Sequence, residues 1–350
     1  LCRFFKPFLD KIFKEATIFG PQWSIFLDFY ANLSNFAFME TEKKTQNSQK
    51  RVLITGCSSG FGMLTAVGAA RLGYETIATM RNLDKKSPLK NALDSQNLTA
   101  RIEKLDVTGP DSVRQLVEKI GPVDILVNNA GILITGSFLD QTDEEMRRIF
   151  ETNYFGIVNL TKAVVPSMIE RKSGRIINIA SLAGLVGHPF NAAYAASKHA
   201  LIGFTKSIRV ELAPLGIEAV SIEPGYHRTE IIGTNANQSE NFYNRQSPMF
   251  EWNRGFLRTM FDEIIPRAGA AQDVADLILK VMAADKAKPH YVIGKDATFA
   301  TTLQWLGLGP WLEHQVTRKI RKARRLENKR EAEKKARRKQ KRDGASRPIA

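Results

Sequence analysis

The sequence predicts an α/β protein: a doubly wound parallel sheet of about seven strands with helices on both faces. Two observations carry this expectation. From Arg51 onward short β-branched runs alternate with helical segments, as strands joined by crossover helices do. The runs are also almost continuously apolar, as in strands buried on both faces, and lack the alternation of a sheet with one wet side. Strands are expected at 52–55, 75–79, 101–105, 125–128, 175–180, 218–222 and 290–293. The helix over 63–72 follows the first strand, and the helical pattern over 193–215 closes at Gly216, a position suited to a left-handed cap. Residues 226–267 break into a polar, aromatic, Asn-rich stretch without clear periodicity, expected to be a lid over a ligand.

A chain of 350 residues with 43% apolar content can bury one large core with extensions at its ends. The expected organisation is an extension over 1–50, a catalytic domain over 51–300, and a C-terminal extension over 301–350 ending in a basic helical or disordered tail. Cys2 and Cys57 are the only cysteines, and His188, His199, His227, His290 and His314 show no ligand spacing, so no metal site is expected. Low cysteine usage makes the cytoplasm the default location.

The formal charge of +15 is uneven, because residues 318–342 hold 15 Lys or Arg against 3 Glu, a net of +12. The body is therefore close to neutral and the tail is a polycation, expected as a solvated, fraying helix with almost no apolar stripe. No apolar run reaches the roughly 18 to 20 residues that span a bilayer. The first 38 residues place Phe4, Phe5, Phe8, Leu9, Ile12 and Phe13 at helical spacing between lysines. Three readings stand for them: a helix packed on the body or a partner, an interfacial membrane helix, or residues upstream of a start at Met39.

The first strand runs into Thr55-Gly56-Cys57-Ser58-Ser59-Gly60-Phe61-Gly62 and then a helix. A glycine turn placed between a strand and a helix lets backbone approach a pyrophosphate, and the helix start offers unpaired N–H groups. This is a Rossmann-type arrangement, with the spacing G-x3-G-x-G. The second strand ends in Met80-Arg81-Asn82, with no carboxylate before Asp84. Arg81 matches a ribose 2'-phosphate where an acid would match the free hydroxyl, so NADP(H) is expected over NAD(H).

Tyr194 and Lys198 stand four apart on a predicted helix and so project from one face. Tyr291 and Lys295 share that spacing, but at a strand end, where such residues are separated by more than about 10 Å. Ser181 precedes Tyr194 by thirteen residues, at the carboxyl end of a strand, where ligands bind in open sheets. Alone, Ser181 reads as a turn residue and Asn153 as a helix cap or kink. Together with the glycine turn they form a consistent set.

With Leu105-Asp106-Val107, Asn128-Asn129-Ala130-Gly131, Asn153 and Pro224-Gly225 followed by Thr229, the chain from about 52 to 293 resembles the short-chain dehydrogenases/reductases. The glycine turn and the Met80-Arg81-Asn82 ending are similar to the branch of retinol and 17β-hydroxysteroid dehydrogenases and their bacterial relatives. The resemblance implies that Tyr194 is the acid in carbonyl reduction and the base in alcohol oxidation. Lys198 would lower the tyrosine pKa and bind the nicotinamide ribose. Ser181 would hydrogen-bond the substrate oxygen, and Asn153 would hold a proton-relaying water. Gly56, Ser58, Ser59, Gly60, Phe61 and Gly62 would cradle the diphosphate, with Arg81 and Asn82 at the adenosine ribose. Asp106 and Val107 would meet adenine, Asn129, Ala130 and Gly131 the adenosine side, and Pro224, Gly225 and Thr229 the carboxamide. Bringing a tyrosine from about 10 to about 7 takes roughly 4 kcal/mol, which burial opposes and an adjacent cation supplies.

The expected activity is therefore that of an NADP(H)-dependent carbonyl reductase or alcohol dehydrogenase. Its substrate is expected to be a small hydrophobic molecule, given the stretch 182–189 and the lid with its Phe242, Tyr243, Phe250, Trp252 and Phe256. A homodimer or homotetramer is implied through the helices over 142–169 and 193–215. The alternative is a cofactor-sensing scaffold whose basic tail binds RNA or acidic membrane. Peripheral contact of the termini with acidic membrane or nucleic acid, or a purely solubilising tail, stays open for an enzyme as well.

Overall fold

A computed structural model describes residues 49–230 and 237–345, with side chains described as far as 337. The aromatic segment over 1–38, Met39, and residues 231–236 of the expected lid lie outside the described residues. Contacts divide the chain into Leu1–Ser48 and Gln49–Ala350, and all described residues fall in the second unit.

Seven parallel strands form the sheet: β1 (Arg51–Ile54), β2 (Glu75–Met80), β3 (Arg101–Lys104), β4 (Ile125–Asn128), β5 (Gly174–Ile179), β6 (Ile217–Pro224) and β7 (His290–Ile293). Their order is β7-β6-β5-β4-β1-β2-β3. All seven expected strands are present, each end within two residues of its predicted place.

Alternate residues of the strands feed two cores. Val52, Ile54, Val127, Ile177 and Val220 point to one face, where they meet α1 (Gly60–Arg71) and the later helix over Ala271–Ala283. Leu53, Leu126, Ile176 and Ala219 point to the other, against the helices Pro110–Ile120 and Gly156–Glu170. Burial on both faces is why these strands read as continuous apolar runs. The strand order reverses between β1 and β4, so their carboxyl ends open a crevice there.

Helix α2 (Ala192–Leu212) carries the expected Tyr-x3-Lys pair, and a tight turn over Ala213–Leu215 ends at Gly216 with φ +78°. The cap expected at Gly216 is in place, and a Cβ there would also stand 2.2 Å from the Lys172 carbonyl oxygen.

Two expectations are corrected. The stretch 226–267 is not aperiodic throughout, since it contains α3 (Phe250–Thr259), continued by a π-turn over Met260–Ile264. Its buried face is Asn253, Phe256 and Met260, a stripe at helical spacing that begins with a polar residue and so escapes a hydropathy reading. Asn253 is satisfied by accepting from the Ser137 amide at 3.0 Å and donating to Asp140 at 2.6 Å.

The basic tail is docked along one face as far as Glu331, in place of the expected solvated helix, while its described residues beyond, 332–337, are exposed as expected. Helix α4 (Gly309–Ala345) crosses α3 at Gly255, where a Cβ would lie 3.0 to 3.1 Å from the backbone of Ala323 and Arg324. Glu327, 1% exposed, accepts from Arg258 at 2.8 Å and forms an ion pair with Arg254 at 2.7 Å. Arg324 lies 4.4 Å over the Trp252 ring, and Ile320 packs with Phe190, Phe256 and Met260. Glu327 and Glu331 of the tail pair with arginines of α3, and Glu331 also pairs with Lys334 of its own helix. Among the described residues no helix is long and apolar enough to cross a membrane.

Candidate active site

The carboxyl ends of β1, β4, β5 and β6 open on one cleft of about 920 Å³, its open mouth included. Phe61, Ser181, Tyr194, Gly225 and Thr229 line its sheet side, and Phe256, Leu257, Met260 and Phe261 of the α3 segment form the opposite wall.

Gly56 (φ +73°) and Gly60 (φ +57°) take left-handed backbone at the turn. The glycines serve different ends. A Cβ on Gly56 would stand 2.9 Å from Ala130 Cα, and one on Gly62 would stand 2.5 Å from both Asn129 Nδ2 and the Gly56 carbonyl oxygen. These two let the 129–131 segment close onto the turn. Gly60 meets nothing nearer than Thr229 at 3.6 Å, so its turn is open on the cleft side. Ser59 caps α1 by position alone, with no side-chain bond to the first N–H groups, which leaves them to an incoming anion. Ser58 and Phe61 flank it, partly exposed.

Asn129 donates to the carbonyls of Thr55 at 2.8 Å and Gly56 at 3.2 Å, while the Asn129 and Ala130 amides both donate to Thr55 Oγ1. These contacts stitch β4 to the turn. Arg81 and Asn82 stand exposed at the end of β2; Asn82 accepts from the Asp84 amide at 2.9 Å, and among the described residues Arg81 makes no ion pair. Asp106 accepts from the Thr108 amide and hydroxyl at 3.0 and 2.7 Å, and Val107 is buried beside Gly156.

On α2, the Lys198 Nζ lies 5.7 Å from the Tyr194 ring centroid and donates to the Ile179 carbonyl at 2.8 Å. Burial pushes the Lys198 ammonium down to about 8. Burial also raises the Tyr194 phenol above its usual range, with the Ser181 side chain pulling the other way. Ser181 opens a short helical turn over Leu182–Gly184, and its Oγ accepts from the Ala183 amide at 3.1 Å. The turn role and the site role coincide: with a lone pair taken by the backbone, the hydroxyl proton is left for the cleft.

Asn153 is 0% exposed in a π-turn over Glu151–Phe155. Its amide accepts from the Ile132 N–H at 2.8 Å and donates to the Ile132 carbonyl at 2.9 Å and Ser197 Oγ at 3.2 Å. Its side chain is thus engaged with protein, and it pins the Gly131-Ile132 segment beside Lys198. Gly225 follows Pro224 with its amide on the Ile293 carbonyl at 2.8 Å, and a Cβ there would overlap the Asp296 carboxylate.

Residues fitting a dinucleotide are present: the open turn at Gly60, the uncapped start of α1, and the buried Thr229 Oγ1, which has no partner among the described residues. Cys57 takes no part, since burial pushes its thiol up to about 12. Among the described residues no cluster could hold a metal ion. His188 falls in the stretch 182–189, and Tyr226 and His227 in the stretch 226–267, both expected at the substrate, and all three line the cleft. Asn191 lines it too and belongs to no motif of the sequence. His188 and Asn191 are close in the chain, as are Tyr226 and His227; the fold brings the two pairs together.

A doubly wound parallel sheet with a glycine turn at its switch point and a Ser, Tyr and Lys in the adjoining cleft defines a nucleotide-binding oxidoreductase acting on carbonyl and alcohol groups. A family model described as short chain dehydrogenase matches residues 50–240, and the chain belongs to that family. It is 37% identical over 270 residues to the Bacillus subtilis oxidoreductase YusZ, covering 75% of this chain and 95% of that one. It is 38% identical over 245 residues to retinol dehydrogenase 8 of Bos taurus, covering 67% and 78%. Among solved structures, a short-chain dehydrogenase from Streptomyces avermitilis superposes with a TM-score of 0.64 at 31% identity, over 78% of this chain and 98% of that one. An actinorhodin polyketide ketoreductase with NADPH gives 0.59 at 29%, over 70% and 95%.

Proposed function

We propose that the protein is an NADPH-linked reductase of ketones or aldehydes on small apolar molecules, with the reverse oxidation open to it. The observation that carries this reading is the meeting of Ser181 and Tyr194, with Lys198 buried beside the tyrosine ring, at the mouth of β5 in a cleft walled by Phe256, Leu257, Met260 and Phe261.

The nicotinamide, when bound, supplies the hydride. Ser181, its Oγ fixed by the Ala183 amide, points its proton at the carbonyl oxygen. Tyr194, held protonated by burial, is the acid that gives its phenolic proton to that oxygen. Lys198 sits beside the ring and steadies the phenolate left behind. Asn153 acts through Ile132 and Ser197 as a positioning residue. The turn from Gly56 to Gly62 would take the diphosphate, Asn129, Ala130 and Gly131 would line the adenosine side with Asp106 and Val107, and Pro224, Gly225 and Thr229 would hold the carboxamide. Arg81, exposed and without an ion pair, fits a 2'-phosphate and favours NADP(H).

Self-association through the helix pair is part of this proposal. Phe155 and Ile169 on one segment and Val210 (72% exposed) on α2 leave apolar side chains in water. The scaffold alternative is not carried forward, because Ser181, Tyr194 and Lys198 are all retained and converge. The test is turnover of apolar carbonyls with NADPH and with NADH, followed at the nicotinamide absorbance band. Absence of turnover with every carbonyl and both cofactors overturns the proposal.

A further inference from the structure

We propose that His188, Tyr226 and Asn191 form a second polar station in the cleft that binds a hydroxyl group of the substrate, so that the preferred substrates are apolar carbonyl compounds bearing a separate alcohol. The inference rests on the carbonyl-reductase reading above and names the substrate class for the same site.

All three side chains line the cleft together with Tyr194. The Asn191 amide nitrogen donates to His188 Nδ1 at 3.0 Å, and His188 Nε2 lies 2.5 Å from the Tyr226 hydroxyl. If Nδ1 accepts, Nε2 carries the ring proton and donates it to the Tyr226 oxygen. The Tyr226 hydrogen then has no described side chain to receive it, and it is free to point into the cleft. At the far end of this row of bonds, Asn191 is only 4% exposed, and its Oδ1 is shut off from the cleft with no partner among the described residues. The three residues therefore offer the cleft one group, the Tyr226 hydroxyl, with its hydrogen free.

Turning the amide over reverses every bond in the row, so that Tyr226 donates to His188 and offers the cleft a lone pair instead of a hydrogen. An alcohol hydroxyl can answer the Tyr226 oxygen in either state, whereas a ketone or ether oxygen can answer it only in the donating state. The surrounding walls are apolar, so an unmatched Tyr226 hydroxyl here costs more than it would in water. The site is also held in place. The Tyr226 amide donates to Asp296 Oδ2 at 2.7 Å, and Phe190, between His188 and Asn191 in the chain, stacks on Phe256 with centroids 4.6 Å apart. Burial keeps the His188 imidazole neutral and the Tyr226 phenol protonated, the states this bonding needs.

The test uses the full chain with NADPH and a straight-chain methyl ketone beside its analogues with a hydroxyl one, two or three carbons from the carbonyl. At least one hydroxylated ketone is expected to exceed the parent in kcat/KM by about ten-fold, the worth of a matched hydrogen bond in such a site. Tyr226→Phe and His188→Gln are expected to bring that ratio close to one. Equal kcat/KM across the series in the unaltered protein overturns the inference while leaving the carbonyl reading intact. So does a fall in activity on parent and hydroxylated ketones alike in the variants, which marks a structural role only. No turnover of any carbonyl by the unaltered protein overturns both.

Discussion

Lys198 holds its ammonium 5.7 Å from the centre of the Tyr194 ring while donating to the Ile179 carbonyl at 2.8 Å. The helix spacing sets the two side chains on one face, and β5 supplies the carbonyl that fixes the lysine. Tyr194→Phe removes the proton donor and is expected to lower kcat by at least about a hundred-fold, as loss of an acid does, while cofactor affinity changes little. Steady-state rates together with NADPH binding by fluorescence check both halves.

The same pair predicts a pH profile. Burial lowers Lys198 to about 8, so the ammonium is largely charged at neutral pH and is lost as pH rises past that value. Carbonyl reduction is expected to be flat below about 8 and to fall above it. Lys198→Met is expected to abolish the alkaline limb along with most of the activity. A profile unchanged through pH 10 would contradict the role assigned to Lys198.

Arg81 is exposed at the end of β2 with no ion pair among the described residues. A charge-assisted bond to a 2'-phosphate is worth about 1.5 to 3 kcal/mol. Arg81→Ala is therefore expected to raise KM for NADPH roughly ten- to a hundred-fold and to leave that for NADH nearly unchanged. Equal effects on both cofactors would show that the residue does not read the phosphate.

Glu327 is buried between Arg254 and Arg258, linking the basic helix to the helix that walls the cleft. Glu327→Ala leaves Arg258 without its carboxylate and Arg254 with Glu331 alone. Because both arginines are partly solvated, the expected loss is about 2 kcal/mol, below the figure for a fully buried pair. Thermal unfolding measures it, and KM for apolar substrates is expected to rise as the α3 wall loosens.

Glu223 on β6 is buried beside Ser221, which donates to it, and burial raises its carboxyl from 4.5 to about 7. Folding then favours the protonated form. Its contribution to stability is full below about pH 4.5 and is lost as pH rises through 7. Glu223→Gln removes this dependence, so the variant is expected to gain on the unaltered protein by up to about 3 kcal/mol across that window. Paired denaturant titrations from pH 4.5 to 8 read the difference.

The sequence by itself determined the sheet. The central strands stand out because a strand buried on both faces is written as an apolar run, while the edge strand β3 reads Arg-Ile-Glu-Lys with exposed ends and is placed by its turn in the alternation with helices; the glycine turn and the Tyr194-Lys198 spacing are local patterns set by one turn or one helix. The reasons behind individual residues were less legible: Gly56 and Gly62 are small because Asn129 and Ala130 close on them, a contact between segments about seventy residues apart. Only the tertiary structure decided the lid and the tail. The stripe on α3 starts at a buried asparagine whose partners are remote, and the glutamates of α4 look like partners for their own helix until Arg254 and Arg258 are brought against them. His188 likewise acquired its bond to Tyr226 from the return of β6 beside β5. Long-range pairing of polar groups leaves no period in the chain, and so it is the part of a fold that sequence pattern does not carry.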